Sequence, residues 1–317
     1  MQTETNKPSR YAAIDIGTVT CRLLVADVVE GELSELVRRV EITNLGTGVD
    51  KTGVLAPDAI ERVASTVASY RAQIDSLRTS PHSDIPVMAL ATSASRDAKN
   101  AQELVDALEA SRIHLSVIPG QREAALSFKG ASRGFAGEDL VVVDVGGGST
   151  EVVFGKGGSD PWFRRSFDIG CRRVTERFLK SDPPSPHELD EARSWIIQVM
   201  APVISEACKK GECGRVVAVA GTATSMVSID EKMEVYDPER VNGSHVSRAT
   251  LERIYSELAS MPLSQRRQVV GLEPKRAPVI VAGALILNCV LELLDSDGFT
   301  VSESDILQGI ILDAAGL

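Results

Sequence analysis

The sequence predicts an α/β protein made of two copies of one domain, and three observations carry that prediction. Strand-like runs alternate with helix-like stretches along most of the 317 residues. The segment AIDIGTVTCRLLV aligns without gaps on VVDVGGGSTEVVF, setting Asp15 over Asp144 and Gly17 over Gly146. A second pair, VMALATSAS from Val87 and VVAVAGTAT from Val216, falls at the same offset of 129 residues (15 to 144, 87 to 216). Either match alone is weak, because Asp-x-Gly after a strand is a common turn; two at one offset point to duplication.

The elements follow in order. Ala12 to Val28 reads as strand, turn, strand, and Glu32 to Thr43 as a third strand. Ala56 to Leu77 has helical periodicity. Pro86 to Ala91 is a short buried strand, followed by TSASRDAKN and an amphipathic helix through Leu108. Leu115 to Ile118 is another strand, and a helix opens near Gln121. From Leu140 the order starts again with LVVVDVGGGSTEVVFG. The longest apolar stretch, Val279 to Leu294, is broken by Asn288 and Glu292 and is shorter than the roughly 20 residues of a membrane span, so it reads as a buried helix. Domains are expected at 1–125 and 126–317, with the last helix a candidate to pack back on the first, and with the ligand in a cleft between the halves.

Composition narrows the function classes. With 43% hydrophobic and 25% charged residues the chain buries a substantial core. Its formal charge of -10 supplies no global field for nucleic acid or an anionic membrane, so any polyanion must meet a local cationic site. Cys21, Cys171, Cys208, Cys213 and Cys289 show no CxxC spacing and no partnering histidine cluster, which predicts reduced thiols, a cytoplasmic protein and no zinc. The N-terminal MQTETNKPSR is polar, without the apolar core of a secretory leader. His82, His114, His187 and His245 form no HExxH motif, and no GxSxG elbow occurs, which argues against zinc and Ser-His-Asp hydrolases. His245 is expected in a polar loop.

The motifs point to phosphate. Glycines at 146, 147 and 148 strip the Cβ atoms from a tight turn, so that backbone amides can converge on an anion. Ser149 and Thr150 add hydroxyls. Asp144 and Glu151 repel bare phosphate oxygens, so their presence implies a bridging divalent cation: Mg2+, with Mn2+ as the alternative. The competing reading is a glycine-rich hairpin with solvated acids. In the first hairpin Thr18, Val19, Thr20 and Arg22 hold the places of Gly147, Gly148, Ser149 and Glu151, so one half offers a cation where the other offers a carboxylate. The stretch ATSASRDAKN sits between a strand and a helix, where Arg96 could pair with phosphate or simply lie on the surface beside capping hydroxyls. AGTATS, Ala220 to Ser225, has the same placement in the second half, and GxxxxGK[ST] occurs nowhere. Glu123, in the first turn of a predicted helix, could align a water or merely complement the helix dipole. Arg164, Arg165, Arg172, Arg173, Arg177 and Lys180 form a basic patch that is either a solvated face or a guide for a phosphate chain.

Taken in order, AAIDIGTVTCRLLVADV, ATSASRDAKN, PGQREAALSFKGA, VVDVGGGSTEVVFG, DIGCRRVTERFL, AGTATS and the C-terminal SRATLERIYSELASMPLSQRRQVVGLEPKRAPVIVAGALIL resemble the exopolyphosphatase and guanosine pentaphosphate phosphohydrolase (Ppx/GppA) family in its short, two-domain form. The resemblance implies two ribonuclease H-like domains of the actin-like ATPase superfamily around a central cleft. It implies a phosphoanhydride hydrolase that releases terminal orthophosphate from inorganic polyphosphate, or the 5' γ-phosphate from guanosine pentaphosphate, with Mg2+ and as a homodimer. By motif position Glu123 is the catalytic glutamate and Asp144 and Glu151 the metal-side acids. Thr18, Arg22, Arg96, Gly146, Gly147, Gly148, Ser149, Gly221 and Thr222 are phosphate-side positions. Two departures bear on affinity and chain-length preference: GTVT stands where GSNS or GTNS is usual, so Val19 replaces an Asn donor, and Arg122-Glu123 replaces a glutamate pair. The rival functions are an actin-like kinase or ATPase with an adenosine pocket near Ala282, Gly283 and Ala284, and a non-catalytic sensor of polyphosphate or guanosine pentaphosphate.

Overall fold

A computed structural model describes residues 9–78, 84–211 and 213–317. The polar N-terminal segment 1–8 and His82 lie outside the described residues. The chain divides into two compact units, one running to Pro119 and including Ile306–Leu317, the other spanning Gly120–Asp305.

In the first unit β1 (Ser9–Ile16), β2 (Thr20–Val29) and β3 (Glu32–Ile42) form an antiparallel meander, while β4 (Val87–Ala91) and β5 (Leu115–Val117) continue the sheet in parallel from β1. The order is β3-β2-β1-β4-β5. Ala12 to Ile16 and Leu23 to Ala26 are buried without alternation, as expected of strands covered on both faces. Helix α1 (Pro57–Ser76) starts on a proline that needs no amide partner and buries Ile60, Val63, Val67, Tyr70 and Ile74, an apolar stripe at three- and four-residue spacing. It packs with α2 (Ala101–Glu109) into the core of that unit.

The second unit repeats the plan. Strands β6 (Asp139–Val145), β7 (Thr150–Lys156) and β8 (Phe163–Phe167) form the meander, β9 (Arg215–Val219) runs parallel to β6, and β11 (Gly298–Val301) parallel to β9. A sixth strand, β10 (His245–Ser247), adds antiparallel to β11 at the edge. The shared order of five strands is that of the ribonuclease H-like fold, and the pairs β1/β6, β2/β7 and β4/β9 are the segments that align at one offset. His245 therefore lies on an edge strand and not in the expected loop, its ring within 2.9 Å of where a Cβ on Gly298 would stand. The reason is local: Ser247 caps the next helix, and the three residues before it pair with β11. The longer helices of the unit are α3 (Gly120–Ala131), α4 (Cys171–Phe178), α5 (Pro186–Lys210), α6 (Ala220–Asp230), α7 (Arg248–Ser260) and α8 (Ile280–Leu293). The stretch read as a buried helix is α8, buried along nearly its whole length. No helix among the described residues is long and apolar enough to cross a membrane.

The terminal helices are exchanged. α3 follows β5 in the chain yet packs on β6, β7 and β8, while α9 (Ile306–Ala314) follows β11 and packs on β1, β2 and β4. Each sheet is thus completed by the helix that leaves the last strand shared by the other repeat. The boundary expected at 125/126 falls inside α3, whose Ala124, Phe128 and Ala131 belong to the core under β6, β7 and β9.

Candidate active site

The second hairpin is the centre of the candidate site. β6 and β7 pair from Asp139↔Lys156 to Val145↔Thr150, which sets Asp144 directly opposite Glu151. The turn closes through the Gly146 amide donating to the Ser149 carbonyl at 3.0 Å. The remaining carbonyls of the turn face α4: the Cys171 amide donates to Gly146 O at 2.9 Å, the Arg172 amide to Gly147 O at 2.9 Å, and Arg173 Nε to Gly148 O at 2.9 Å. In a planar trans peptide the carbonyl of one residue and the amide of the next point in opposite directions. The amides of Gly147, Gly148 and Ser149 are consequently turned away from α4, three in succession, which is the arrangement of an anion nest. Gly170 makes this contact feasible, because a Cβ there would lie 2.4 Å from the Gly147–Gly148 peptide.

Three acids gather on and beside the strands that flank this turn. Asp144, Glu151 and Glu123 are all buried, with Glu151 only 1% exposed. Ser127 Oγ donates to Asp144 Oδ2 at 2.8 Å, and Ser166 Oγ on β8 donates to Glu151 Oε1 at 2.6 Å. Burial, then the charges of Glu123 and Asp144, push the Glu151 carboxyl well above the ordinary range, against hydrogen bonds from Ser166 and Ser149 that lower it. Neither a lone solvated hairpin nor helix-dipole complementation requires three carboxylates to share one buried space. Such a cluster is costly unless it is protonated or meets a cation. Among the described residues no group of three His, Cys, Asp or Glu side chains is arranged to hold a metal ion by itself. The donor set fits a hard cation that keeps few protein ligands and takes its other oxygens from water and phosphate, as Mg2+ does.

The start of α6, directly after β9, lies alongside. Asp144 pairs in register with Val219, so the Gly146 turn and residues 220–222 leave adjacent parallel strands at the same end. Ala220 has a φ of 64°, a left-handed conformation unusual for a residue with a Cβ, and such strain concentrates at functional sites. The guanidinium of Arg276 occupies the space beside Gly221, where a Cβ would be 2.0 Å from a guanidinium nitrogen. Its charge also reaches Cys171, whose buried thiol is pushed up by desolvation and drawn down by Arg276. Sequence alone does not single out Arg276; the signal available is a cation four residues before a mostly apolar helix. Thr222 is buried with its side chain against Gly283 of α8.

The remaining predicted residues lie in the first unit. Its hairpin closes in the same way, the Gly17 amide donating to Thr20 O at 2.8 Å. Asp15 sits opposite Arg22, which donates to Asp15 Oδ2 from Nε at 3.0 Å and from Nη2 at 2.7 Å. Val19 is buried, and its carbonyl accepts from the Thr43 and Asn44 amides. The loop after β4 runs beside this hairpin, with the Thr92 amide donating to Ile16 O. Arg96 Nη1 donates to Ile118 O at 3.1 Å. The hydroxyls of Thr18, Ser93 and Ser95 are buried without a hydrogen-bond partner among the described residues, an expensive arrangement that suits a surface built to meet a ligand.

The basic patch is not one cluster of equivalent cations. Arg172 pairs with Glu176, Arg173 holds Gly148, Arg177 stacks over Trp195 and Lys180 donates to the Glu176 carbonyl, whereas Arg164 and Arg165 are exposed on β8.

The chain resembles known proteins over nearly its whole length. The model of the Ppx/GppA phosphatase family matches residues 24–316. Exopolyphosphatase 2 of Mycobacterium tuberculosis is 39% identical over 327 residues, covering 97% of this chain and 99% of that protein. The crystal structure of the Aquifex aeolicus Ppx/GppA family member superposes with a TM-score of 0.80 at 30% identity, over 97% of this chain and 98% of that one. An exopolyphosphatase from Cytophaga hutchinsonii gives a TM-score of 0.86 at 27% identity, over 96% and 98%.

Proposed function

The chain is a member of the Ppx/GppA phosphatase family, and from that premise we propose that it is an exopolyphosphatase, releasing orthophosphate from the end of inorganic polyphosphate by in-line attack of water. The observation that carries this reading is the second hairpin: three amides turned to one side of a turn whose flanking strands bring Asp144 and Glu151 together beside Glu123. Amides aimed at the transferring phosphoryl group stabilise charge that develops on its equatorial oxygens. Glu123 aligns the water and accepts its proton, a task for a buried carboxylate within reach of the phosphorus.

Asp144 and Glu151 would hold Mg2+, or Mn2+ in its place. When bound, the ion neutralises phosphate charge. By motif position Thr18, Arg22 and Arg96 are phosphate-side residues of the first unit. In the second unit Arg276 lies against Gly221 and can offset phosphate charge. Polyphosphate is preferred over guanosine pentaphosphate as the substrate because the 39% identical relative carries the name exopolyphosphatase. An actin-like kinase reading finds no support at Ala282 and Ala284, which are fully buried within α8 and offer no surface to an adenine.

The test is Mg2+-dependent phosphate release from short polyphosphate, long polyphosphate, guanosine pentaphosphate and ATP. Release from polyphosphate above the other two is the expected result. Inactivity on all four overturns the reading, and preference for guanosine pentaphosphate corrects its substrate.

A further inference from the structure

The two hairpins treat their aspartates differently. Asp15 is held by a cation across the strands, Arg22 closing on Oδ2 with two hydrogen bonds. The equivalent of Arg22 in the second repeat is Glu151, so a carboxylate stands across the strands from Asp144 where a guanidinium stands across from Asp15. On the other side Ser127 Oγ donates to Asp144 Oδ2 at 2.8 Å. Ser127 is fully buried on α3 and lies four residues after Glu123, which puts both side chains on one face of that helix.

We propose that Ser127 is a positioning residue that sets the Asp144 carboxylate relative to Glu123, tying the helix that carries the water-aligning glutamate to the strand that carries the metal-side acid. The inference rests on the roles given above to Glu123, Asp144 and Glu151. The choice of a hydroxyl is chemically apt. A guanidinium at this place, as in the first unit, would neutralise the carboxylate and compete with a divalent cation. A serine donates one hydrogen bond, fixes the rotamer and leaves the negative charge intact. Partners of this kind behind a metal-binding carboxylate commonly change metal affinity or turnover by about 10- to 100-fold.

The test uses Ser127→Ala, which removes one oxygen from a buried position, and Ser127→Cys, which keeps the volume but donates only weakly. Two readouts are taken on the full-length protein: Mg2+ affinity by titration calorimetry without substrate, and kcat and KM for phosphate release from polyphosphate. Expected are an approximately tenfold weaker Mg2+ affinity and a comparable fall in kcat in both variants, with KM for polyphosphate and the melting temperature nearly unchanged. Wild-type Mg2+ affinity and kcat in Ser127→Ala overturn the proposal. So does recovery of both by Ser127→Cys, because filling the space would then suffice. Calorimetry judges the proposal even if the wild-type protein releases no phosphate, an outcome that sinks only the assigned reaction; absence of any Mg2+ binding by the wild type sinks the proposal.

Discussion

Asp15 and Asp144 occupy equivalent places in the repeat and meet opposite partners. Asp15 and Arg22 form a largely buried pair, with side chains 6% and 14% exposed. Removing the cation leaves the aspartate charge uncompensated, so Arg22→Met is expected to destabilise the first unit by about 3 kcal/mol in denaturant unfolding. Adding Asp15→Asn to that variant should restore most of the stability but not the activity; no recovery would mean that Arg22 acts on stability through other contacts. Glu151 gives the contrary case. Burial and its acidic neighbours hold its carboxyl above the ordinary glutamate value of 4.5. A group whose value is raised by folding contributes its full stability below the unfolded value and loses it as pH rises through the folded one. The melting temperature of the metal-free protein should therefore fall as pH rises above the ordinary glutamate value of 4.5, and Glu151→Gln should flatten that slope. At the alkaline end the variant should melt roughly 2–4 °C higher, the scale of one kcal/mol in a unit of this size, while losing turnover. An unchanged slope in calorimetric scans would contradict the assignment. The carboxylates and the glycine turn were legible in the sequence because they are consecutive or strictly spaced. Ser127, Ser166 and Arg276 were not, since their contacts depend on how helix, strand and loop pack together, and an isolated serine or arginine carries no periodic signal.

Elements hold the site by close approach of backbones, and two glycines separate what that approach does for stability from what it does for chemistry. A Cβ on Gly170 would meet the peptide between Gly147 and Gly148 at 2.4 Å, and a peptide has nowhere to move without breaking the bonds that α4 makes to the turn. Gly170→Ala should cost roughly 1–3 kcal/mol and raise KM for polyphosphate by spoiling the nest. A Cβ on Gly221 would instead meet the guanidinium of Arg276, the far end of a flexible side chain. Gly221→Ala should shift that guanidinium at little expense in stability and lower kcat, so the ratio of stability loss to activity loss should be opposite in the two variants. Equal melting temperatures for both would show that α4 does not brace the turn. The strands and helices themselves were readable from periodicity, down to the buried run that forms α8. Among the elements not read from sequence, the strand beginning at His245 is three residues long and paired only at a sheet edge, too short for alternation to register.

On the scale of the whole chain, duplication is the organising fact, and it was visible because the two pairs of matching segments are strand-loop units whose sequences are constrained by burial on both faces. The exchange of terminal helices was not visible. An amphipathic helix shows that it has an apolar face but not which sheet receives it, and α3 and α9 each pack on the sheet of the other repeat. The exchange matters functionally, because it brings Glu123, at the start of α3, into the same unit as Asp144 and Glu151. The account therefore stands on Glu123 as the group that aligns water. Phosphate release from polyphosphate should be compared between wild type and Glu123→Gln at saturating Mg2+, with polyphosphate binding measured on the same preparations. A loss of about 100-fold or more in kcat with binding retained is the predicted result; a glutamine variant that releases phosphate at the wild-type rate would contradict the account.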